Sequence, residues 1–300
     1  MKHLFIINPA AGKGNAKSYI PAIHNHFKGK TEEYHIEITK NPGHAMDLAK
    51  LYSRRDNYRI YAIGGDGTLN EVLNGMAGTQ SCLGVLPAGS GNDFLKSIYH
   101  SKDFNEILEK TIKGEAKPID CGLINDRYFI NIMSVGLDAE VAYYSSKINK
   151  KLHLAGTLSY LLGIVAALVK GKIKFPLKLT FDNNETIETE IALTACTNGK
   201  YYGGGFIPVP YTEFNDGVLD ICYVEKKSLP AILWLIPKYM KGTHVKMKGV
   251  NLRPIERMKI ESEEELRINV EGELISAKEV DIQVKKSFIN FIIPDSGETK

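Results

Sequence analysis

An α/β domain followed by a β-rich domain is the fold class the sequence predicts, and three observations predict it. Strand-like apolar runs and helical stripes alternate four times over the first 113 residues. From Lys117 onward, strand-like runs are joined by hairpin-type turns instead. The length, 300 residues, exceeds what one hydrophobic core usually takes, and 43% hydrophobic residues can fill two. The expected boundaries are 1–116 for the α/β domain and 117–300 for the β-rich domain, with the last residues packing back on the first.

Residues 4–7 form a short continuous apolar run, as in a parallel strand covered on both faces. A loop through Asn8, Pro9, Gly12, Lys13 and Gly14 leads to a helix expected at 15–27. A second strand, 35–39, ends at Lys40-Asn41-Pro42-Gly43, and the next helix shows Ala45, Leu48, Ala49 and Tyr52 on one face. The run 60–63 ends in Gly64-Gly65-Asp66-Gly67-Thr68, after which Leu69, Val72, Leu73 and Met76 make one buried stripe. A fourth strand, 82–86, opens into Pro87 to Phe94, and a helix with Phe104, Ile107, Leu108 and Thr111 on one side closes the series. In the second half, turns are expected at Asn125-Asp126, at Asp182 to Asn184 and at an acidic tip, 261–264. Helical inserts are expected at 139–169 and 229–241.

The charge, 38 basic against 35 acidic residues for a net +3, gives no reason to expect nucleic acid as a partner. Four cysteines without a Cys-x-x-Cys pair read as buried thiols, and no histidine cluster has metal-ligand spacing. The N-terminal run is too short for a signal-peptide core, so the chain is expected in the cytoplasm. The longest apolar run, 158–169, falls short of the roughly 20 residues that span a bilayer.

Glycines 64, 65 and 67 allow positive φ and close backbone approach, and the helix that follows offers free N–H groups and partial positive charge to an anion. Asp66 in such a place calls for a divalent cation, so the stretch reads as a nucleoside-triphosphate site with magnesium; a turn capped by Asp66 is the plain alternative. Pro87 to Asp93 repeats the arrangement with Ser90 and Asp93, and the two turns leave the same edge of one sheet. The stretch 11–18 departs from a P-loop, because Ala11 and Ala16 stand where its glycines would be. Asp216 follows Asn215 and precedes Gly217, which by itself reads as a turn. Glu271 and Glu273 stand at i and i+2, which on a strand would share a face and suit one of them to proton abstraction.

Taken in order, Asn8-Pro9-x-x-Gly12, Gly64 to Glu71, Pro87-x-Gly-x-x-Asn-Asp-Phe94, Gly203 to Gly205, Asp216-Gly217-x-Leu219-Asp220 and Glu271-Gly-Glu273 resemble the diacylglycerol kinase catalytic-domain family, akin to sphingosine kinases. The resemblance covers about residues 2–275. It implies an NAD-kinase/diacylglycerol-kinase-like α/β domain, a C-terminal β sandwich and an ATP site in the cleft between them. Asn8, Gly12, Thr39, Gly64, Gly65, Asp66, Gly67, Thr68, Glu71 and Ser90 would surround the nucleotide, with Asp66 and Asp93 organising Mg2+ and its waters. Asp216, with backbone oxygens near Glu213 and Val218, would hold a structural Mg2+, and Glu273 would be the general base. Glu271 departs from the aspartate common in the family, which leaves its division of labour with Glu273 open.

The implied activity is ATP-dependent phosphorylation of a lipid hydroxyl, with diacylglycerol the default. Phosphatidylglycerol, an isoprenoid alcohol, a sphingoid base, an NAD-kinase-type reaction and a non-catalytic regulator are the alternatives. A lipid substrate implies peripheral membrane association; Leu229 to Val250, with Trp234 among apolar residues and lysines, has an interfacial composition, and 158–169 is a second candidate surface. The partners expected are therefore ATP and a membrane lipid, with a homodimer left open.

Overall fold

The computed structural model describes residues 1–89, 92–98, 103–152 and 157–295. It falls into two compact units, Met1–Ile119 with the segment from Ser287 onward, and Asp120–Lys286.

The first unit alternates β1 (Lys2–Ile7), α1 (Tyr19–Phe27), β2 (Glu33–Ile38), α2 (His44–Ser53), β3 (Tyr58–Gly64), α3 (Asp66–Met76), β4 (Cys82–Pro87) and α4 (Phe104–Lys113). The strands lie parallel in the order β2-β1-β3-β4. The end of the chain's last strand adds beyond β4, also parallel, with Asn290 opposite Cys82 and Phe291 opposite Leu83. Phe5, Ile7, Tyr61, Ile63 and Leu86 pack against Tyr19, Ile23 and Phe27 of α1 and Ile107 and Leu108 of α4. The alternate residues, Leu4, Ile6 and Ile60, are equally buried, on the face that α2 and α3 cover. Helix α1 starts four residues later than expected. Gly12 and Gly14 have positive φ, and residues 11–18 form a 3-10 helix instead of a continuous α-helix.

The second unit begins within β5 (Glu115–Ile124) and continues with β6 (Arg127–Phe129), β7 (Ile132–Gly136), α5 (Leu137–Leu152), α6 (Thr157–Lys170), β8 (Phe175–Phe181), β9 (Thr186–Thr197) and β10 (Leu219–Glu225). After these come α7 (Leu229–Met240), β11 (Val250–Ile255), β12 (Arg257–Val270) and β13 (Glu273–Ile293), whose last residues belong to the first unit. The main order is β11-β10-β9-β7-β12-β13, with antiparallel neighbours, and β8 joins β9 to β12. Successive residues of one strand face opposite sides. Met133, Cys196 and Ile221 join a core shared with β8, β12 and β13, whereas Ile132, Ala195 and Cys222 join a second core capped by α5, α6 and α7.

Two expectations for this half are corrected. The insert at 139–169 is two helices, α5 and α6, with residues 153–156 outside the described ones. The acidic tip at 261–264 is no hairpin turn: β12 runs through it, and residues 262–265 form a bulge between the pairs Glu261 with Glu279 and Leu266 with Ala277. Four polar residues loop out of the ladder there and the strand resumes.

His3 is buried on β1, stacked with Tyr61 at 5.9 Å, its Nδ1 3.0 Å from the Tyr61 hydroxyl. Burial pulls its pKa down from 6.5 to about 4, against the charge of Glu32. Between those values the folded protein binds fewer protons than the unfolded chain, so stability falls as the pH drops from about 6.5 to about 4 and levels off below. His3→Leu is expected to show a shallower loss over that window in urea melts at successive pH values.

Candidate active site

The site is built at the carboxyl ends of β1, β2, β3 and β4, where the chain turns four times. The Gly64 carbonyl accepts both Ala88 N–H, at 2.9 Å, and Gly89 N–H, at 3.0 Å, which ties the turn after β4 to the turn after β3. The tie brings backbones so close that a Cβ on Gly89 would stand 2.4 Å from the Gly65 Cα. At Gly12, φ is +58° and a Cβ would meet the Ala88 carbonyl oxygen at 2.1 Å, so only glycine fits.

These turns enclose a cleft of about 520 Å3, a volume suited to a small-molecule ligand. Asn8, Gly12, Thr39, Gly65, Gly67, Thr68 and Glu71 line it, as do Pro9, Ala10, Ala11, Lys40, Asn41, Pro42, Ala45 and Gly89. Gly64 and Asp66 are not on its wall, and Ser90 lies outside the described residues. Asn8 Nδ2 donates to Thr68 Oγ1 at 3.1 Å, while Asn8 Oδ1 accepts the Ala10 N–H at 3.0 Å. Asn8 thus fixes the loop after β1 to the start of α3. Glu71 works at a distance: its two oxygens accept the N–H groups of Gly43, at 2.9 Å, and Ala45, at 3.1 Å. It caps α2 and shapes the loop at 40–43, a positioning task the sequence did not disclose. That loop was itself missed as a lining element, although its place at the end of a parallel strand was the available signal.

Asp66 and Asp93 are brought together. The Asp93 N–H donates to Asp66 Oδ2 at 3.2 Å, and Lys96 Nζ donates to Asp93 Oδ1. Asp66 Oδ1 is buried with no hydrogen-bond partner. Burial and then the Asp93 charge push the Asp66 carboxyl up, opposed by the backbone N–H groups of residues 93 and 94. A buried carboxylate oxygen without a donor is costly unless a cation meets it. The pair therefore fits a divalent ion that shares its coordination with phosphate oxygens, the usual way Mg2+ is held. Among the described residues no three His, Cys, Asp or Glu side chains converge as a self-sufficient metal site.

In the second unit, Glu271 and Glu273 do not share a face. Val270 pairs with Glu273, and Glu271 and Gly272 form a two-residue turn, both with positive φ, +53° and +85°. Glu271 Oε1 turns inward and accepts the N–H groups of Ile130, at 2.8 Å, Asn131, at 2.6 Å, and Ile132, at 3.3 Å. Glu273 is exposed and paired with Arg127, Oε2 to Nη2 2.7 Å. The exposed Asp216 accepts the Val218 N–H at 3.2 Å, and the neighbouring Gly217 N–H goes to Asp120 at 2.7 Å.

A parallel sheet edged by glycine turns, with an antiparallel sandwich after it, defines a nucleotide-dependent phosphotransferase of two units. Residues 2–124 match the diacylglycerol kinase catalytic domain, and residues 131–293 the YegS C-terminal NAD kinase beta sandwich-like domain. The chain belongs to the diacylglycerol kinase catalytic-domain family and is an ATP-using lipid kinase. It is similar to the diacylglycerol kinase of Bacillus subtilis strain 168, 29% identical over 277 residues that cover 89% of this chain and 88% of that protein. The diacylglycerol kinase of Staphylococcus haemolyticus is 30% identical over 278 residues, 89% of this chain and 81% of that one. A crystal structure of a diacylglycerol kinase from Bacillus anthracis str. Sterne shares the fold, with a TM-score of 0.73 over 99% of this chain and 98% of that chain at 24% identity.

Because the folded pKa of Asp66 lies above its unfolded value, its ionisation opposes folding as pH rises through it. Asp66→Asn keeps an acceptor for the Asp93 N–H and removes the buried charge. The expected result is a higher Tm than the unaltered protein at neutral pH, no gain at acid pH, and loss of the Tm increase that Mg2+ with ATP produces.

Proposed function

We propose that the chain transfers the γ-phosphoryl group of ATP to the free hydroxyl of diacylglycerol, yielding phosphatidic acid, at a membrane with which it associates peripherally. The observation that carries the reaction type is the unpartnered, buried Asp66 oxygen beside a cleft walled by glycine turns, a place for a metal-bound polyphosphate. Diacylglycerol as acceptor is supported by relatives of that name, similar over four-fifths or more of both chains.

Phosphoryl transfer depends chiefly on positioning and neutralisation of charge. The turns after β1 and β3 and the first turn of α3 bind the phosphates through backbone N–H groups, with Asn8 and Thr68 locked to each other behind them. Asp66 and Asp93 would hold Mg2+, which supplies neutralisation of the phosphate oxygens. Asp216 with the backbone oxygens of Glu213 and Val218 would hold a second ion that stiffens the 213–218 loop. Glu273 accepts the proton of the lipid hydroxyl as that oxygen bonds to the γ-phosphorus and the bond to ADP breaks. Arg127 orients its carboxylate. Glu271 is excluded from this task because its inward oxygen receives three backbone donors.

Label from γ-labelled ATP is expected in mixed micelles of diacylglycerol, and not in phosphatidylglycerol, isoprenoid alcohol, sphingosine or soluble NAD; label in any one of those instead would reassign the acceptor. The two glutamates should separate cleanly. Glu273→Gln is expected to lower kcat by a factor of about 100 or more with stability within about 0.5 kcal/mol of the unaltered chain. Glu271→Ala should cost about 3 kcal/mol or more in urea unfolding, because it strands three buried N–H groups.

A further inference from the structure

Large apolar side chains left bare on the surface are concentrated on two helices. Of the fifteen such residues among those described, nine lie on α6 and α7. On α6 they are Leu158, Leu161, Leu162, Val165 and Val169, at the spacing of a single stripe, with Val165 60% and Val169 76% exposed. The opposite face of the same helix buries Ile164 and Ala167, so α6 is apolar on both sides. Helix α7 buries Ile232, Leu235 and Tyr239 in the same core and bares Leu229, Leu233, Trp234 and Met240. Residues of both helices wall one small apolar cavity above that core, which places the two bare stripes on the same side of the sheet. An apolar area of this extent on a soluble surface marks a contact site.

Charge says what kind. Residues 141–181 and 226–255 contain fourteen lysines and arginines and no aspartate or glutamate. Since the whole chain has a net charge of +3, everything else in it sums to −11. Four of these cations pair with glutamates outside the two stretches, at Lys172, Lys178, Lys226 and Arg253. The bare stripes end in Lys170 and Lys241, and Lys238 Nζ lies 3.8 Å from the centre of the Trp234 ring. Apolar side chains rimmed by cations, with tryptophan at the boundary, match the depth profile of an anionic membrane surface, where rings and lysine stems sit at headgroup level.

We propose that α6 and α7 together form the face on which the protein lies against an anionic lipid bilayer, both stripes entering the headgroup region at once. The proposal rests on the lipid-kinase reading and adds where the membrane sits on the second unit. The test is sedimentation with vesicles of phosphatidylcholine alone or mixed with phosphatidylglycerol, read together with the fluorescence of Trp234, the single tryptophan. The unaltered chain is expected to bind the anionic vesicles at least about tenfold more tightly, with binding weakened by salt. Trp234 emission should shift to the blue and be quenched by lipids brominated on the acyl chains. Val165→Glu on α6 and Leu233→Glu on α7 should each weaken binding about tenfold or more at unchanged Tm. Equal binding to neutral and anionic vesicles, or either variant binding like the unaltered chain, would overturn the joint face. So would a dimer in sedimentation equilibrium that both variants dissociate while Trp234 ignores vesicles, since the stripes would then meet a second copy. Phosphorylation of a monomeric short-chain diacylglycerol by the unaltered chain tests the kinase reading without any bilayer, so the two readings fail separately.

Discussion

The first unit depends on the bond pair at the Gly64 carbonyl. One oxygen accepting two N–H groups pulls the turn after β4 onto the turn after β3, and the side of the cleft that carries Asp66 and Asp93 follows from that contact. Any side chain at Gly89 would force the two turns apart. With the turns together, Asp66 and Asp93 are neighbours whether or not their charges favour it, and the sheet, buried on both faces, is rigid enough to hold them there. The raised pKa of Asp66 reflects its burial first and the neighbouring Asp93 charge second. Burial of the carboxylate is tolerated because the surrounding fold over-determines its position, a common condition at functional sites.

Two carboxylates in the second unit show the opposite use of the same side chain. Glu271 is sequestered, and its inward oxygen serves as the acceptor for three successive backbone N–H groups at residues 130–132. Its positive φ is held by the tight turn it shares with Gly272. Glu273, two positions later, is left at the surface with Arg127. A strand would have placed both on one face; the two-residue turn of Glu271 and Gly272 sends one in and one out.

Legibility followed the range of the interaction. The alternating half was readable, because a parallel strand and its helix each announce themselves within a dozen residues, and the lining residues Asn8, Gly12, Thr39, Gly65, Gly67 and Thr68 fall where strands end. Glycine turns betray close backbone approach even when the partner is unknown. What could not be read were partnerships across the chain: Glu71 with the loop at 43–45, Asp66 with the Asp93 N–H, and Glu271 with 130–132. The run 261–264 was misread for a related reason. Clustered acidic residues look alike in a turn and in a bulge, and only the register of the neighbouring strands distinguishes them.

The final strand has a consequence for how the chain comes into being. β4 is an edge of the first unit's sheet until the end of β13 pairs with it at Asn290 and Phe291, and Phe291 then buries its ring against Phe94. During synthesis the nucleotide-binding unit therefore starts before the second unit and closes after it, since its outermost strand is translated after the entire second unit. Until then β4 presents open hydrogen-bonding groups along an apolar strand, an invitation to pair with another nascent chain. The order of the residues makes assembly of the first unit contingent on completion of the second, so that a truncated product carries a sheet with an uncovered edge in place of a finished kinase fold.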